Sequence, residues 1–261
     1  MPKFAANISL MFQEVPFLER FKAASSAGFK AVEFLFPYDY SADEIAAHLQ
    51  ENGLVNVLFN MPPGNWAAGE RGMAALPSRR EEFREGVEKA IGYAKVLGTP
   101  NLHVMAGLIP GGHTAEHRSA FIDNLKYAAG KCAAHGINIL IEPINQRDMP
   151  GYFLSLQASA HAICEEAGCP NLKVQMDFYH AQIMEGDLAT TFRKYQARIG
   201  HIQIAGVPER HEPDMGEVNY PYLFDLLDEC GYDGWVGCEY RPAKSTEEGL
   251  GWLKAFDLRG S

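Results

Sequence analysis

Eight short apolar runs recur along the chain, and longer segments in which apolar residues recur at helical spacing separate them. The runs begin at Phe4, Ala31, Val55, Asn101, Asn138, Leu172, His201 and Trp235. Strand-sized runs that alternate with helices predict βαβ units and therefore a parallel sheet. Eight such units close naturally into a (β/α)8 barrel of about 250 residues. Because the chain has 261 residues, we expect a single barrel domain over residues 1–261.

The segments between the runs carry the signals of amphipathic helices. Phe83, Val87, Ala90 and Ala94, for example, recur at a spacing that places them on one helix face. Glycine, which readily adopts the left-handed conformation that ends a helix, is expected to end several of them: Gly28, Gly53, Gly98, Gly136, Gly168, Gly200 and Gly231. An open doubly wound sheet is the alternative, and the lack of a GxGxxG or GxxxxGK[ST] loop after the first strand weakens it. The predicted fold class is therefore α/β, with TIM-barrel closure.

Composition narrows the functional classes. The formal net charge is −10, which disfavours nucleic-acid binding because phosphate contacts need clustered Lys and Arg. The N-terminal segment lacks the apolar stretch of a signal peptide, and no run approaches the roughly 18 apolar residues of a membrane helix. Five cysteines without a CxxC pair suggest reduced thiols. We therefore expect a cytoplasmic protein with neither a membrane nor a nucleic acid as partner.

Three βα connections are long: residues 61–78, 145–154 and 206–218. In (β/α)8 barrels, the βα loops and the carboxyl ends of the strands form the active-site face. Chemistry is therefore expected at strand ends and in these three loops.

Four polar residues interrupt the last four apolar runs near their carboxyl ends: Glu142, Asp177, Gln203 and Glu239. A carboxylate in an apolar strand carries a large desolvation penalty unless it is paired. Three carboxylates that converge on one barrel mouth would also repel one another, and a divalent cation resolves both problems. Three carboxylates and one amide suit a hard ion, Mg²⁺ or Mn²⁺. The alternative for each acid is an ion pair with a nearby Lys or Arg.

Three histidines lie near these positions. His180 is expected to close the sixth strand at the mouth, where it can hydrogen-bond a substrate oxygen. His201 is expected to open the seventh strand, deeper in the barrel, which favours a buried structural role. His103 faces either the mouth or the core, and its pattern does not decide between them.

Arg210, in the loop segment VPERHEPD, is the candidate for binding a substrate carboxylate, because a guanidinium can bind a carboxylate in bidentate fashion. An ion pair with an acid of its own loop is the alternative. Glu70 and Arg71, in AAGERG, pose the same choice between contact with substrate and a local ion pair.

The chain resembles the hydroxypyruvate isomerase family in segments that span nearly its whole length in order. They include AANISLMFQEVPFLERF, AVEFLFPYDY, GNWAAGERG, LIEPIN, VQMDFYHAQIMEGDL, HIQIAGVPERHEPDMGEVNYPYLF and GWVGCEYRP. That family belongs to the xylose-isomerase-like barrels, together with ketose 3-epimerases and apurinic endonucleases. Its two nearest branches are hydroxypyruvate isomerases and 2-oxo-tetronate isomerases.

The resemblance implies aldose–ketose isomerisation of a small anionic hydroxy-keto acid, and it leaves a homo-oligomer open. It implies that Glu142 and Glu239 are the proton donor and acceptor and that both bind the metal with Asp177 and Gln203. Hydroxypyruvate and 2-dehydrotetronate remain alternative substrates, although VPERHEPD and HVMAG look more like the tetronate branch. A ketose 3-epimerase is the runner-up, and the histidine that those enzymes carry in place of Gln203 argues against it.

Two readings from other classes complete the set. A metal-dependent phosphodiesterase of the endonuclease type would need many histidine ligands and a basic groove. This acidic chain has a ligand set that is poor in histidine. A non-catalytic sugar-acid binder would have no need for two proton-transfer groups, so Glu142 and Glu239 speak against it.

Overall fold

Eight parallel strands form a closed barrel in chain order in the computed structural model, which describes residues 2–253. This confirms the predicted fold class and excludes the open sheet. The strands are β1 Lys3–Asn7, β2 Ala31–Phe34, β3 Val55–Asn60, β4 Asn101–His103, β5 Asn138–Ile141, β6 Leu172–Asp177, β7 Ile199–Ile204 and β8 Trp235–Cys238.

Helices surround the barrel and cover its outer face. They are α1 Arg20–Ser26, α2 Ala42–Glu51, α3 Arg80–Leu97, α4 Ala115–Ala133, α5 Gln157–Ala167, α6 Phe178–Met184, α7 Leu188–Tyr195, α8 Tyr220–Glu229 and α9 Thr246–Gly249. Within residues 2–253, none of these helices has both the length and the apolar character needed to cross a membrane.

Helix α3 shows why the sequence pattern was informative. The predicted apolar face, including Phe83, Val87 and Ala90, is buried against the barrel. The helix ends at Gly98, whose left-handed backbone lets its N–H bond the carbonyl of Ala94. The chain then turns directly into β4.

Three boundary predictions were wrong. His201 does not open the seventh strand, because β7 begins at Ile199. Gly200 does not end a helix; it lies inside β7, where a side chain would collide with Leu140 and Lys173. His180 does not close the sixth strand, because β6 ends at Asp177 and His180 lies in the first turn of α6. The Asp177 side chain accepts a hydrogen bond from the backbone N–H of Tyr179 and so starts α6 at once.

The barrel interior changes from apolar to polar along the strands. Ala5, Ala31, Leu58 and Leu140 belong to a small buried cluster at the deeper level. Residues two positions apart on a strand share a face, and two residues further along the same strands carry buried polar side chains: Asn7, Glu33, Asn60 and Glu142. The mouth of the barrel is therefore lined by polar groups held above an apolar floor.

Candidate active site

A small cavity of about 120 Å³ opens at the carboxyl ends of the strands. Trp66, Met149 and Arg210 reach it from the three long βα loops, which confirms that these loops border the mouth. The strand ends contribute Asn60, His103, Glu142, Gln175 and Glu239, and His180, Arg241 and several apolar side chains complete the lining.

Glu142, Asp177, Glu239 and His180 bring one potential ligand atom each within 4.8 Å of one another. All four are buried. Glu142 Oε1 and Asp177 Oδ2 have no hydrogen-bond partner in the described structure, although a buried carboxylate oxygen normally has one. The orphaned oxygens and the three carboxylates fit a divalent cation, so this cluster could hold a metal.

The electrostatics of the cluster point the same way. Burial, reinforced by the negative charges of Glu239 and Asp177, raises the pKa of Glu142 well above its ordinary range. Burial also raises the pKa of Glu239 to about 8 and that of Asp177 to about 6, although Arg210 acts in the opposite direction on both. The three carboxylates therefore oppose one another's ionisation, and a bound cation would relieve that conflict.

Arg210 supplies positive charge to the cluster from the loop after β7. Its Nη2 lies 2.5 Å from Glu239 Oε2 and 3.6 Å from Asp177 Oδ2. The backbone of Arg210 is left-handed, with φ 60°, a conformation that is uncommon for a residue other than glycine. Its predicted contact with a substrate carboxylate stays a prediction, since the guanidinium already engages two carboxylates of the protein.

His180 presents a proton to the cavity. Its Nδ1 accepts a hydrogen bond from the side-chain amide nitrogen of Asn145, 2.6 Å away. The amide of Asn145 is oriented in turn, because its Oδ1 accepts a hydrogen bond from the backbone N–H of Asp148. With Nδ1 as acceptor, a neutral ring carries its hydrogen on Nε2, which lies 3.6 Å from Asp177. Burial and Arg210 lower the pKa of His180 well below its usual range and keep the ring neutral. This geometry suits a hydrogen-bond donor better than a metal ligand.

Gln203 lies beside Asp177 in the strand register. Its Nε2 donates to Glu33 at 2.7 Å and its Oε1 accepts from Gln175 at 2.6 Å. A carbonyl oxygen has two lone pairs, so the bond to Gln175 leaves one for a cation. The assignment of Gln203 as a ligand stays a prediction.

The remaining predicted residues divide between the cavity and the surface. His103 lines the cavity, and its Nε2 lies 3.6 Å from Glu142 Oε2. Glu70 does not line it, because its carboxylate pairs with Arg79 at 3.0 Å and accepts the backbone N–H of Asn65. Arg71 stacks on the indole of Trp66, with 3.8 Å between the guanidinium carbon and the ring centroid.

Sequence analysis missed the layer beneath the cluster. Glu33 is fully buried in β2 and accepts hydrogen bonds from Asn7, His201 and Gln203. Asn7 also donates to Glu239 Oε1 at 3.1 Å, which links this layer to the acids above. The signal was available, because Glu33 interrupts the apolar run AVEFLF in the same way as the three acids and one amide of the later strands.

Known proteins share this combination of barrel and site. Residues 21–256 match the family model described as xylose isomerase-like TIM barrel. The chain is 59% identical to the 2-oxo-tetronate isomerase of Cupriavidus necator, over 98% of this chain and 99% of that protein. It is 46% identical to the hydroxypyruvate isomerase of Escherichia coli K12, over 98% and 100%. A crystal structure from Brucella melitensis, of a protein named AP endonuclease, family 2, superposes with a TM-score of 0.97 at 55% identity, over 98% and 99%.

The fold and the acid cluster thus define a xylose isomerase-like TIM barrel. Within that class, the full-length identities show that the chain belongs to the family of 2-oxo-tetronate isomerases and hydroxypyruvate isomerases, and it is an isomerase. The sugar epimerases are more distant. The D-psicose 3-epimerase of Clostridium cellulolyticum H10 superposes with a TM-score of 0.77 at 17% identity, over 96% of this chain and 89% of that one, and shares the fold alone.

Proposed function

We propose that this isomerase moves the carbonyl group of a short hydroxy-keto acid between C2 and C3. The two candidate substrates are hydroxypyruvate, which gives tartronate semialdehyde, and 2-dehydrotetronate, which gives 3-dehydrotetronate. They share a carboxylate, a C2 carbonyl and a C3 hydroxyl, and differ by one hydroxymethyl group at C3.

The observation that carries the proposal is the pair Glu142 and Glu239. The two glutamates follow non-adjacent strands, β5 and β8, and both line the same cavity. Both have raised pKa values, because they are buried among like charges. Carboxyls with pKa values shifted toward neutrality can donate as well as accept a proton at the pH of the cell.

The isomerisation needs one proton removed and one returned. One glutamate takes the proton from C3, and the electron pair of that bond forms the C2–C3 double bond while the carbonyl pair moves to the C2 oxygen. The C3 hydroxyl proton passes to the C2 oxygen, the other glutamate protonates C2, and the C3 carbonyl closes. His180 lines the cavity, and its Nε2–H would hydrogen-bond one of these two oxygens. His103 and Arg210 are the other proposed contacts.

The residues that would hold a cation are Glu142, Asp177 and Glu239, with Gln203 as the proposed fourth ligand. All-oxygen ligation favours Mg²⁺ or Mn²⁺. When bound, such an ion polarises the carbonyl as a Lewis acid and stabilises negative charge on oxygen.

The size of the cavity favours a small substrate, and the charge of the chain bears on which class of substrate it can bind. Pockets for drug-sized ligands run from about 300 to 1,000 Å³, whereas this cavity has about 120 Å³. The chain carries a formal net charge of −10, so a nucleic-acid substrate receives no support here. A cytoplasmic location remains a prediction from the sequence.

The test is proton exchange in deuterated water. We expect the Mg²⁺- or Mn²⁺-loaded protein to isomerise one or both acids and to incorporate deuterium at the reacting carbons, as followed by proton NMR. Glu142→Gln is the matched control, because it removes a proposed proton-transfer group and corrects for uncatalysed enolisation. Turnover of a free ketohexose with no exchange of either acid would assign the chain to 3-epimerisation instead.

A further inference from the structure

We propose that Arg241, at the rim of the cavity, binds the carboxylate of the substrate and selects acids over neutral ketoses. This inference rests on the proposed function, because it names the group that recognises the charged end of that substrate. Arg241 was not among the site residues predicted from the sequence.

The chain after β8 directs Arg241 toward the same cavity as Glu239. The two residues are two positions apart, a spacing that returns side chains to the same side of an extended chain, and both line the cavity. Tyr240, between them, is buried on the opposite side, where its hydroxyl accepts a hydrogen bond from Trp252. The alternation places one acid and one guanidinium side by side at the mouth.

The backbone of Arg241 is held, whereas its side chain is exposed. The backbone N–H donates to the carbonyl oxygen of Arg210 at 2.8 Å. The carbonyl oxygen of Arg241 lies 2.8 Å from His211 Nδ1 and accepts from it. These bonds tie the backbone of Arg241 to the loop that carries Arg210, so its side chain starts from a fixed point at the rim of the cavity.

The guanidinium of Arg241 also has no ion-pair partner among the described residues. Among the described residues, no carboxylate oxygen lies within ion-pair distance of its guanidinium. Four neighbouring arginines already hydrogen-bond a carboxylate, a hydroxyl or a carbonyl: Arg71, Arg79, Arg147 and Arg210. A guanidinium without a partner beside a polar cavity can accept a bidentate carboxylate from a ligand.

The charge balance of the site calls for this second cation. Glu142, Asp177 and Glu239 bring three negative charges, and Arg210 with a divalent cation would neutralise them. A substrate carboxylate adds a fourth negative charge, which Arg210 and the divalent cation would not neutralise. Arg241 supplies the missing positive charge at the rim, so the carboxylate would point outward and C2 and C3 would lie between the two glutamates.

The experiment compares Arg241→Gln with Lys244→Gln in the metal-loaded enzyme. Both variants remove one positive charge from the same exposed segment, but Lys244 does not line the cavity. For Arg241→Gln we expect KM for the hydroxy-keto acid to rise about 10- to 100-fold, the range of a charged hydrogen-bonded contact. We expect kcat to change little. Lys244→Gln should match the unaltered enzyme, and Arg241→Lys should restore part of the loss.

A binding measurement separates this inference from the proposed function. Pyruvate and hydroxyacetone serve as probes. Pyruvate carries the carboxylate but no hydroxyl group that could be isomerised, whereas hydroxyacetone keeps a hydroxyl group beside its carbonyl and has no carboxylate. Arg241→Gln should weaken the binding of pyruvate and leave the affinity for hydroxyacetone unchanged. If this holds in an enzyme that turns over neither acid, the carboxylate contact stands and the proposed function fails. If KM and pyruvate affinity are unaltered in Arg241→Gln, or if pyruvate does not bind the unaltered protein, the contact is refuted.

Discussion

Glu33 accepts a hydrogen bond from Nε2 of His201 at 2.6 Å, which joins the second strand to the seventh across the barrel interior. Its other carboxyl oxygen accepts from Gln203 at 2.7 Å and from Asn7 at 3.0 Å. The carboxylate oxygens of Glu33 accept hydrogen bonds, so Glu33 turns the nitrogen of the Gln203 amide toward itself. The amide oxygen of Gln203 then faces Gln175, with one lone pair left for a cation. Gly237 makes room for this carboxylate, because a Cβ at that position would overlap it.

The first prediction is that Glu33→Gln weakens metal binding without abolishing the fold. A glutamine would present its NH2 group to one of three donors and would release Gln203 or His201. Loss of a residue that orients a metal ligand typically reduces metal affinity or activity by about 10- to 100-fold. The measurement is a titration of activity and of calorimetric heat with Mn²⁺.

Glu88→Gln is the matched control for that titration, because Glu88 pairs with Lys131 on the outer helices, remote from the cavity. An unchanged Mn²⁺ affinity in Glu33→Gln, with Gln203 still required for activity, would contradict the orienting role.

The second prediction concerns the two glutamates of the cavity. Glu142→Gln and Glu239→Gln should each lower kcat by about 10²-fold or more, since positioned proton transfer is typically worth 10²–10⁴. Because both are also proposed ligands, the assay is run at saturating Mg²⁺ or Mn²⁺ after the affinity has been measured. Near-normal turnover in either variant would remove that residue from the proton-transfer steps.

The third prediction is that metal stabilises the fold through the acid cluster. A ligand that binds only the folded state at 100 times its Kd adds about 2.7 kcal/mol to the free energy of unfolding. Chelator-treated protein should therefore show a Tm that rises as Mn²⁺ is added back. In Asp177→Asn, which keeps the shape but removes one charge, the rise should be smaller. Equal rises in both proteins would place the ion elsewhere.

The fourth prediction is a loss of stability in mild acid that depends on His161. This ring stacks on Tyr195, with centroids 4.0 Å apart, and its buried Nε2 has no hydrogen-bond partner within residues 2–253. Burial, helped by Arg198 and Lys194, lowers the pKa of His161 to about 4. The unfolded chain, with a histidine pKa near 6.5, binds more protons between these values. The free energy of unfolding should fall as the pH drops from about 6.5 to about 4.

His161→Phe keeps the stacked ring and removes the titration, so its unfolding should lack this part of the pH dependence. The difference between the two proteins is at most about 3 kcal/mol at the acid end. Chemical denaturation at pH 7 and pH 4.5 measures it, with His135→Phe, at an exposed turn, as the control. Parallel curves for the unaltered protein and His161→Phe would refute the assignment.

The sequence by itself determined the fold class, and it singled out three of the four members of the acid and histidine cluster, which it proposed as metal ligands. Apolar runs of strand length indicate parallel strands that are buried on both faces. Apolar residues at helical spacing indicate the helices that cover the barrel. Glu142, Asp177 and Glu239 could be recognised because a charged residue near the end of an apolar strand needs a local reason. That reasoning is local and needs no knowledge of neighbours.

Only the tertiary structure decided which polar groups meet. Glu33 and Gln203 are 170 residues apart in sequence, and barrel closure, which pairs β1 with β8, brings their strands around one interior. The folded conformation of the βα connections also decided that Glu70 binds Arg79 outside the cavity while Arg241 lines it. The pattern along a strand shows which face a side chain takes, but distances across the barrel depend on the register of all eight strands together.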